Sequence, residues 1–154
     1  MEKQCTATAY IFDHEKVLLV FHRKLSKWLP PGGHMYPHET PPMAAKREAK
    51  EETGLEVEII LQENIWIERW NAHSFERPYL CLLEEIPPFG DQPAHQHVDF
   101  IYITRPIGGE IRENPGETNG IRWFTLDEIE ALNPDGEIFV ETQQTLRHLF
   151  LRGF

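Results

Sequence analysis

Four glutamates and an arginine crowd the stretch from Gly33 to Leu55. It reads Gly33, five residues, Glu39, seven residues, then Arg47-Glu48-Ala49-Lys50-Glu51-Glu52-Thr53-Gly54-Leu55. On a helix, Glu48, Glu51 and Glu52 stand at i, i+3 and i+4, so their carboxylates share one face. Like charges at that spacing cost roughly a few tenths of a kcal/mol per pair. A sequence that accepts this cost has a cation to place there. Clustered carboxylate oxygens suit a hard ion such as Mg²⁺, commonly held by a few carboxylates together with substrate phosphates. The bland alternative is a solvated acidic helix, which charge runs usually are. Against it, the glycine and arginine spacings have to coincide with the acidic stripe.

The segment resembles the Nudix box, G-x5-E-x7-R-E-U-x-E-E-x-G-U, where U is apolar. Gly33, Glu39, Arg47, Glu48, Glu51, Glu52 and Gly54 meet every fixed position, and Ala49 and Leu55 fill the apolar ones. The box is about a seventh of the chain. The late segment Trp123-Phe124-Thr125-Leu126-Asp127-Glu128-Ile129 is also similar to family members, less specifically. The resemblance implies an α/β (α+β) Nudix fold, an α/β/α sandwich around a mixed β-sheet. It implies a hydrolase that breaks a phosphoanhydride bond in a nucleoside diphosphate linked to another moiety, with Mg²⁺ or Mn²⁺ as cofactor. Metal ions neutralise phosphate charge and lower the pKa of a bound water.

By the same resemblance, Glu48, Glu51 and Glu52 are metal ligands, joined by the backbone carbonyl of Gly32. Glu48 is alternatively the base. Arg47 is expected to pair with a box glutamate and fix its orientation. Glu39 anchors the loop or serves an outer metal or the substrate; acids near a helix N-terminus are favoured in any case. The general base of such enzymes is often a glutamate in the loop before a late strand. Here that makes Glu117 the first candidate and Glu113 the second, each equally readable as an exposed loop acid. The box does not encode substrate. Nucleoside triphosphates, nucleotide sugars, ADP-ribose and dinucleoside polyphosphates are all open, with nucleoside triphosphates or nucleoside diphosphate derivatives preferred. Monomer and homodimer are both compatible with the family. A non-catalytic nucleotide-binding Nudix module is the alternative, but such a module has no need of the full glutamate set.

These residues need a scaffold. The chain has 154 residues, enough for one domain with a buried core, and residues 1–154 are read as a single Nudix domain. Residues 7–12 and 16–22 are rich in β-branched and aromatic side chains and predict a hairpin. Residues 28–33 carry two prolines and two glycines and predict an extended piece. The acidic helix is expected to start near Thr40 or Pro41 and to stop at Gly54. Strands are predicted over 56–61, 65–70, 77–84, 98–104 and 121–124. Helices follow over 126–132, with Thr125 as N-cap, and over 140–151, where Val140, Leu146, Leu149 and Phe150 recur at helical spacing. Polar loops occupy 86–95 and 112–120.

Net charge is -10, from 15 basic and 25 acidic residues. This argues against nonspecific binding to nucleic-acid polymers or anionic membranes, so a small-molecule nucleotide is the expected partner. A polyphosphate then needs local cations, and Arg23 and Lys27 flank the loop ahead of the box. Trp28, Trp66, Trp70 and Phe75 could stack on a base, although strand aromatics are more often core. No apolar run approaches the roughly 18 residues of a membrane span, and the N-terminus lacks a signal peptide's apolar stretch, so a cytoplasmic location is expected. Cys5 and Cys81 make no metal-type spacing and are expected as buried free thiols.

A second constellation is His95-Gln96-His97-Val98-Asp99. On a strand, His95, His97 and Asp99 share a face. They could ligate Zn²⁺, which would make a different hydrolase, with His22, His34 or His38 contributing through space. The preferred reading is a polar strand face near the cleft. Arg23, Glu39 and His97 are thus the candidate substrate contacts.

Overall fold

The computed structural model describes residues 1–113, 116 and 118–154. The predicted hairpin is present, as β1 (Lys3–Asp13) and β2 (Lys16–His22). β1 begins four residues early because its first residues pair with a late strand, beyond the reach of local propensity. Short strands β3 (Lys27–Leu29) and β4 (Gly32–His34) flank the two prolines and pair with β2 and β1 respectively.

Helix α1 (Pro41–Thr53) follows, with Thr40 at the N-cap position and Pro in the first turn. Gly54 ends it at φ 82°, its N–H bonded to the Lys50 carbonyl. A β-carbon on Gly54 would also meet the Glu110 carbonyl oxygen at 2.1 Å, so glycine is required there for conformation and for space.

The later elements are β5 (Leu55–Ile59), β6 (Glu68–Arg69), β7 (Ala72–His73), β8 (Leu80–Ile86), β9 (His95–Gly109) and β10 (Thr118–Phe124). Helices α2 (Leu126–Glu130) and α3 (Val140–Leu151) close the chain. Thr125 caps α2 in a reciprocal box with Glu128. The predicted strand 65–70 is not a sheet member. Its residues lie in an exposed arm whose only pairing is the two-residue ribbon β6–β7. The strand predicted over 98–104 runs far longer, because β9 serves three neighbours.

Eight strands make one mixed sheet in the order β10-β2-β1-β9-β5, with β3, β4 and β8 on its flanks. β1 and β9 run parallel at its centre; the other pairings are antiparallel. Alternation along β1 divides the core. Ala7, Ala9 and Ile11 pack with Ala44, Ala45 and Ala49 of α1 and with β5. Tyr10 and Phe12 pack on the other side with Ile129, Leu146 and Leu149. Helices therefore cover both faces, as the expected sandwich requires. The three alanines let α1 sit close to the sheet, which brings Glu48 and Glu52 against Gly33 and Gly32 of β4.

The thiols depart from expectation: Cys5 and Cys81 are both exposed. Their register partners are Val98 and Phe100, on the α1 side of the sheet. α1 packs over β1, β4, β5 and β9, and β8 turns its Cys81 side to solvent. Among the described residues, no helix is long and apolar enough to cross a membrane.

Candidate active site

Arg47 organises the box. Its Nε donates to Glu39 Oε2 at 2.7 Å and its Nη2 to Glu39 Oε1 at 2.9 Å, a two-pronged pairing. Nη1 reaches Glu48 Oε1 at 2.9 Å and Glu51 Oε2 at 3.2 Å. Nη2 also donates to the His34 carbonyl at 2.9 Å, and the guanidinium lies 3.9 Å from the Tyr36 ring centre. One planar cation thus ties α1, β4 and the loop between them. Lysine could not do this with a point charge. The hydrogen bonds from Arg47 hold the Glu39 carboxyl below its usual range.

Glu39 is only 4% exposed in its side chain, and it also accepts from the Tyr36 N–H at 2.8 Å. Both of its oxygens accept hydrogen bonds from the protein. Glu52, also buried, accepts from the Gly32 N–H at 2.8 Å. Glu48 is largely shielded beneath Gly33, whereas Glu51 is half-exposed at the rim. Gly32 and Gly33 are therefore glycines because a glutamate or the β1 backbone stands where a β-carbon would be.

Among the described residues, no three His, Cys, Asp or Glu side chains close into a preformed metal cage. The donors form an open row of hard oxygens instead. That arrangement fits Mg²⁺ or Mn²⁺, ions that keep several waters and accept substrate phosphates. Glu48, Glu51, Glu52 and the Gly32 carbonyl are the groups that would hold it.

Arg23 stands in the exposed turn after β2. Glu113 is exposed in the late loop, and Glu117 lies outside the described residues. Of the stacking candidates, Trp28 is partly buried and packs against the core, edge-on to Phe21 and Phe124. Trp66, Trp70 and Phe75 sit in the exposed arm.

His95, His97 and Asp99 do share a face, but they do not converge on one point. Asp99 is buried and accepts from Thr6 Oγ1 at 3.0 Å and from Thr8 Oγ1 at 2.9 Å on each oxygen. Burial raises its pKa and the two threonines oppose that rise. His95 Nε2 faces His97 Nε2 at 3.2 Å, and the His34 and His97 rings meet edge to face. The Zn²⁺ reading loses its carboxylate ligand by this geometry. Thr6, Thr8 and Glu84 carry no sequence signal of their own; only the strand register reveals them.

A mixed sheet with an arginine-tied row of helix glutamates on one face is the architecture of a Nudix domain. The NUDIX domain family model matches residues 2–143, and the chain belongs to that family. It is 28% identical over 130 residues to a probable DHNTP pyrophosphohydrolase of Lactococcus lactis subsp. cremoris (strain MG1363). That match covers 83% of this chain and 66% of the relative, so the chain spans just under two thirds of the relative's length. A NUDIX-family hydrolase from Clostridium perfringens superposes with a TM-score of 0.76 at 24% identity, covering 100% of both chains. An ADP-ribose pyrophosphatase from Streptococcus suis superposes with a TM-score of 0.60 at 23% identity, covering 95% of this chain and 90% of the other.

Proposed function

We propose that this protein is a Mg²⁺- or Mn²⁺-dependent pyrophosphohydrolase. Its substrate class is a nucleoside diphosphate linked to another moiety, with a nucleoside triphosphate or a related pyrophosphate preferred. The observation that carries this reading is the Arg47 network, which spends one partly buried cation on aligning Glu39, Glu48 and Glu51. A module that merely bound nucleotide would gain nothing from such an arrangement. The name of the Lactococcus relative agrees with the reaction class.

When bound, the metal ion would supply charge neutralisation for the phosphates and an activated water. Phosphoryl-type transfer depends mainly on such positioning and electrostatics. The chain's own part is to aim the carboxylates. Glu52 is fixed by the Gly32 N–H, Glu48 by Gly33 and Arg47, and Glu51 stands at the open side. Glu117 remains the proposed base, with Glu113 as the second candidate, and Arg23 the proposed phosphate contact. The proposed location is cytoplasmic, where nucleotides are made and consumed.

The test is phosphate and pyrophosphate release across a nucleotide panel with Mg²⁺, Mn²⁺ or EDTA, for wild type and Glu52→Gln. Metal-dependent turnover lost in the variant is the expected result. Turnover retained within a few fold would remove Glu52 from the site. Absence of turnover with every substrate and metal would remove the hydrolase reading.

A further inference from the structure

The sheet face turned away from α1 carries side chains that the hydrolytic step does not use. Glu84 on β8 and His97 on β9 are register partners, so their side chains stand opposite each other on one face. Gln4 on β1 completes that row, and Leu82, Asp99 and Thr6 form the next one.

The hydrogen bonds decide which nitrogens carry protons. The Pro93 carbonyl can only accept, so His95 Nδ1, 3.0 Å away, donates to it. With both rings neutral, His95 Nε2 then holds a lone pair, and His97 Nε2, 3.2 Å from it, is the donor. His97 is left presenting Nδ1 as an acceptor. Burial, with His34 and His95 beside it, pushes the His97 imidazole down to about 4, which keeps it neutral. Glu84 is half-buried and has no hydrogen bond or ion pair among the described residues. Its charged neighbours are two more carboxylates, Asp99 and Glu141. Asp99 is already satisfied by Thr6 and Thr8 and serves as a fixed wall.

A chain of buried side chains links the row to the glutamate site. Gly32, held by Glu52, stands against the Thr8 hydroxyl, which donates to Asp99. From β4 across β1 and β9 to β8 is three strand spacings, about 14 Å, within the span of an extended nucleotide. Past Glu84 the face opens into a groove of about 360 Å³ between β8 and α3, walled by Tyr79, Leu80 and Leu82. An apolar groove ending in a few directed polar groups is the usual form of a site for an aromatic ring.

We propose that Glu84 and His97 read the edge of the substrate's heterocycle, and that this edge is a lactam N–H beside an exocyclic amino group. Guanine and 2-amino-4-oxopteridines carry it. Two adjacent acceptors match two adjacent donors. Adenine and cytosine place an acceptor next to their amine, which would set lone pair against lone pair. This deepens the hydrolase reading and relies on it for placing the phosphates at the glutamates.

Binding tests it separately from turnover. Equilibrium dialysis would compare guanosine monophosphate with inosine monophosphate, and pterin with pteridin-4-one, pairs that differ only at the amino group. The proteins are wild type, Glu84→Leu, which removes the acceptor, His97→Asn and, as a control at the glutamate site, Glu52→Gln. Expected is a preference of about 10–100-fold for the amino-bearing member of at least one pair. Glu84→Leu abolishes it, His97→Asn weakens it and Glu52→Gln keeps it. The pair with the larger preference identifies the source, nucleotide or pteridine. Equal binding within both pairs, no binding of either amino-bearing probe, or a preference that survives in folded Glu84→Leu would overturn the inference. Loss of turnover with the preference intact would count against the hydrolase reading alone.

Discussion

A β-carbon on Gly33 would lie 2.6 Å from Oε1 of Glu48 and 2.8 Å from its carboxyl carbon. The strand therefore leaves a gap that the Glu48 carboxylate fills. In Gly33→Ala the clash falls on the far end of a side chain, which can swing aside at little cost to folding. It cannot do so and keep its bond to Arg47. Turnover should fall about 10–100-fold, the scale of an ångström-sized misplacement, while the melting temperature changes little. Gly32→Ala contrasts with it, because there the new atom meets the Ala7 carbonyl at 2.7 Å. That variant should lose stability as well, by about 1–3 kcal/mol. Thermal unfolding and steady-state kinetics on both variants separate the two effects, and equal melting temperatures would contradict the assignment.

Arg47→Lys keeps the charge and loses the fork. Lysine has no rigid geometry with which to hold Glu39 and Glu48 together. We expect kcat/KM to drop about 10–100-fold, in line with loss of an orienting partner at a metal site. Metal affinity should weaken with it, measurable as a higher Mn²⁺ concentration for half-maximal rate. Wild-type kinetics in Arg47→Lys would show that the network is structural only.

Much of this was legible in the sequence, for local reasons. The glutamates at helical spacing, Gly54 as a left-handed stop and Thr125 as a cap all act within a few residues of themselves. Helix α3 runs over the residues its apolar spacing predicts. What escaped depends on distant partners. β9 extends to His95 and Gly109 because β1, β5 and β8 lie beside it. Cys81 is exposed because α1 packs over other strands, and the side chain of Cys81 faces the uncovered side of β8. The pairing of Glu84 with His97 is a matter of register between segments 13 positions apart, and periodicity alone does not set it.

Glu84 also leaves a pH signature. Burial first, then Asp99 and Glu141, pushes its carboxyl up to about 7 from 4.5. Between those values the unfolded chain has lost the proton while the folded protein still holds it. Stability from this group therefore falls as pH rises from about 4.5 to about 7. Glu84→Gln fixes the neutral form. Its melting temperature should match wild type near pH 4.5, exceed it increasingly up to about pH 7 and hold a constant lead above that. His97, held down to about 4, contributes a slope of opposite sign, but it is present in both proteins and drops out of the difference. A difference that is flat with pH would mean that Glu84 titrates normally.

The arm over residues 61–78 predicts an assembly. Trp70 is 87% exposed and Ile65 77%, with Leu61, Trp66, Ile67 and Phe75 also exposed. Its fold is set by its own bonds, Ser74 to Ile65 and Ile67, Asn64 to Phe75 and Arg77 to Glu63. Lys46 of α1 lies 3.9 Å from Glu76, so the arm stands against the α1 flank and does not trail free. Taking roughly 150–250 Å² for each aromatic, the six side chains expose on the order of 800 Å², the area one partner contributes to a standard interface. Glu63, Glu68, Arg69 and Arg77 supply both signs of charge on the same arm, which suits a two-fold contact with a second copy. Sedimentation should find a homodimer whose dissociation constant rises at least about tenfold in Trp70→Glu, the scale of losing one central aromatic anchor. A wild-type protein that sediments as a monomer at every concentration would leave this surface to a different partner.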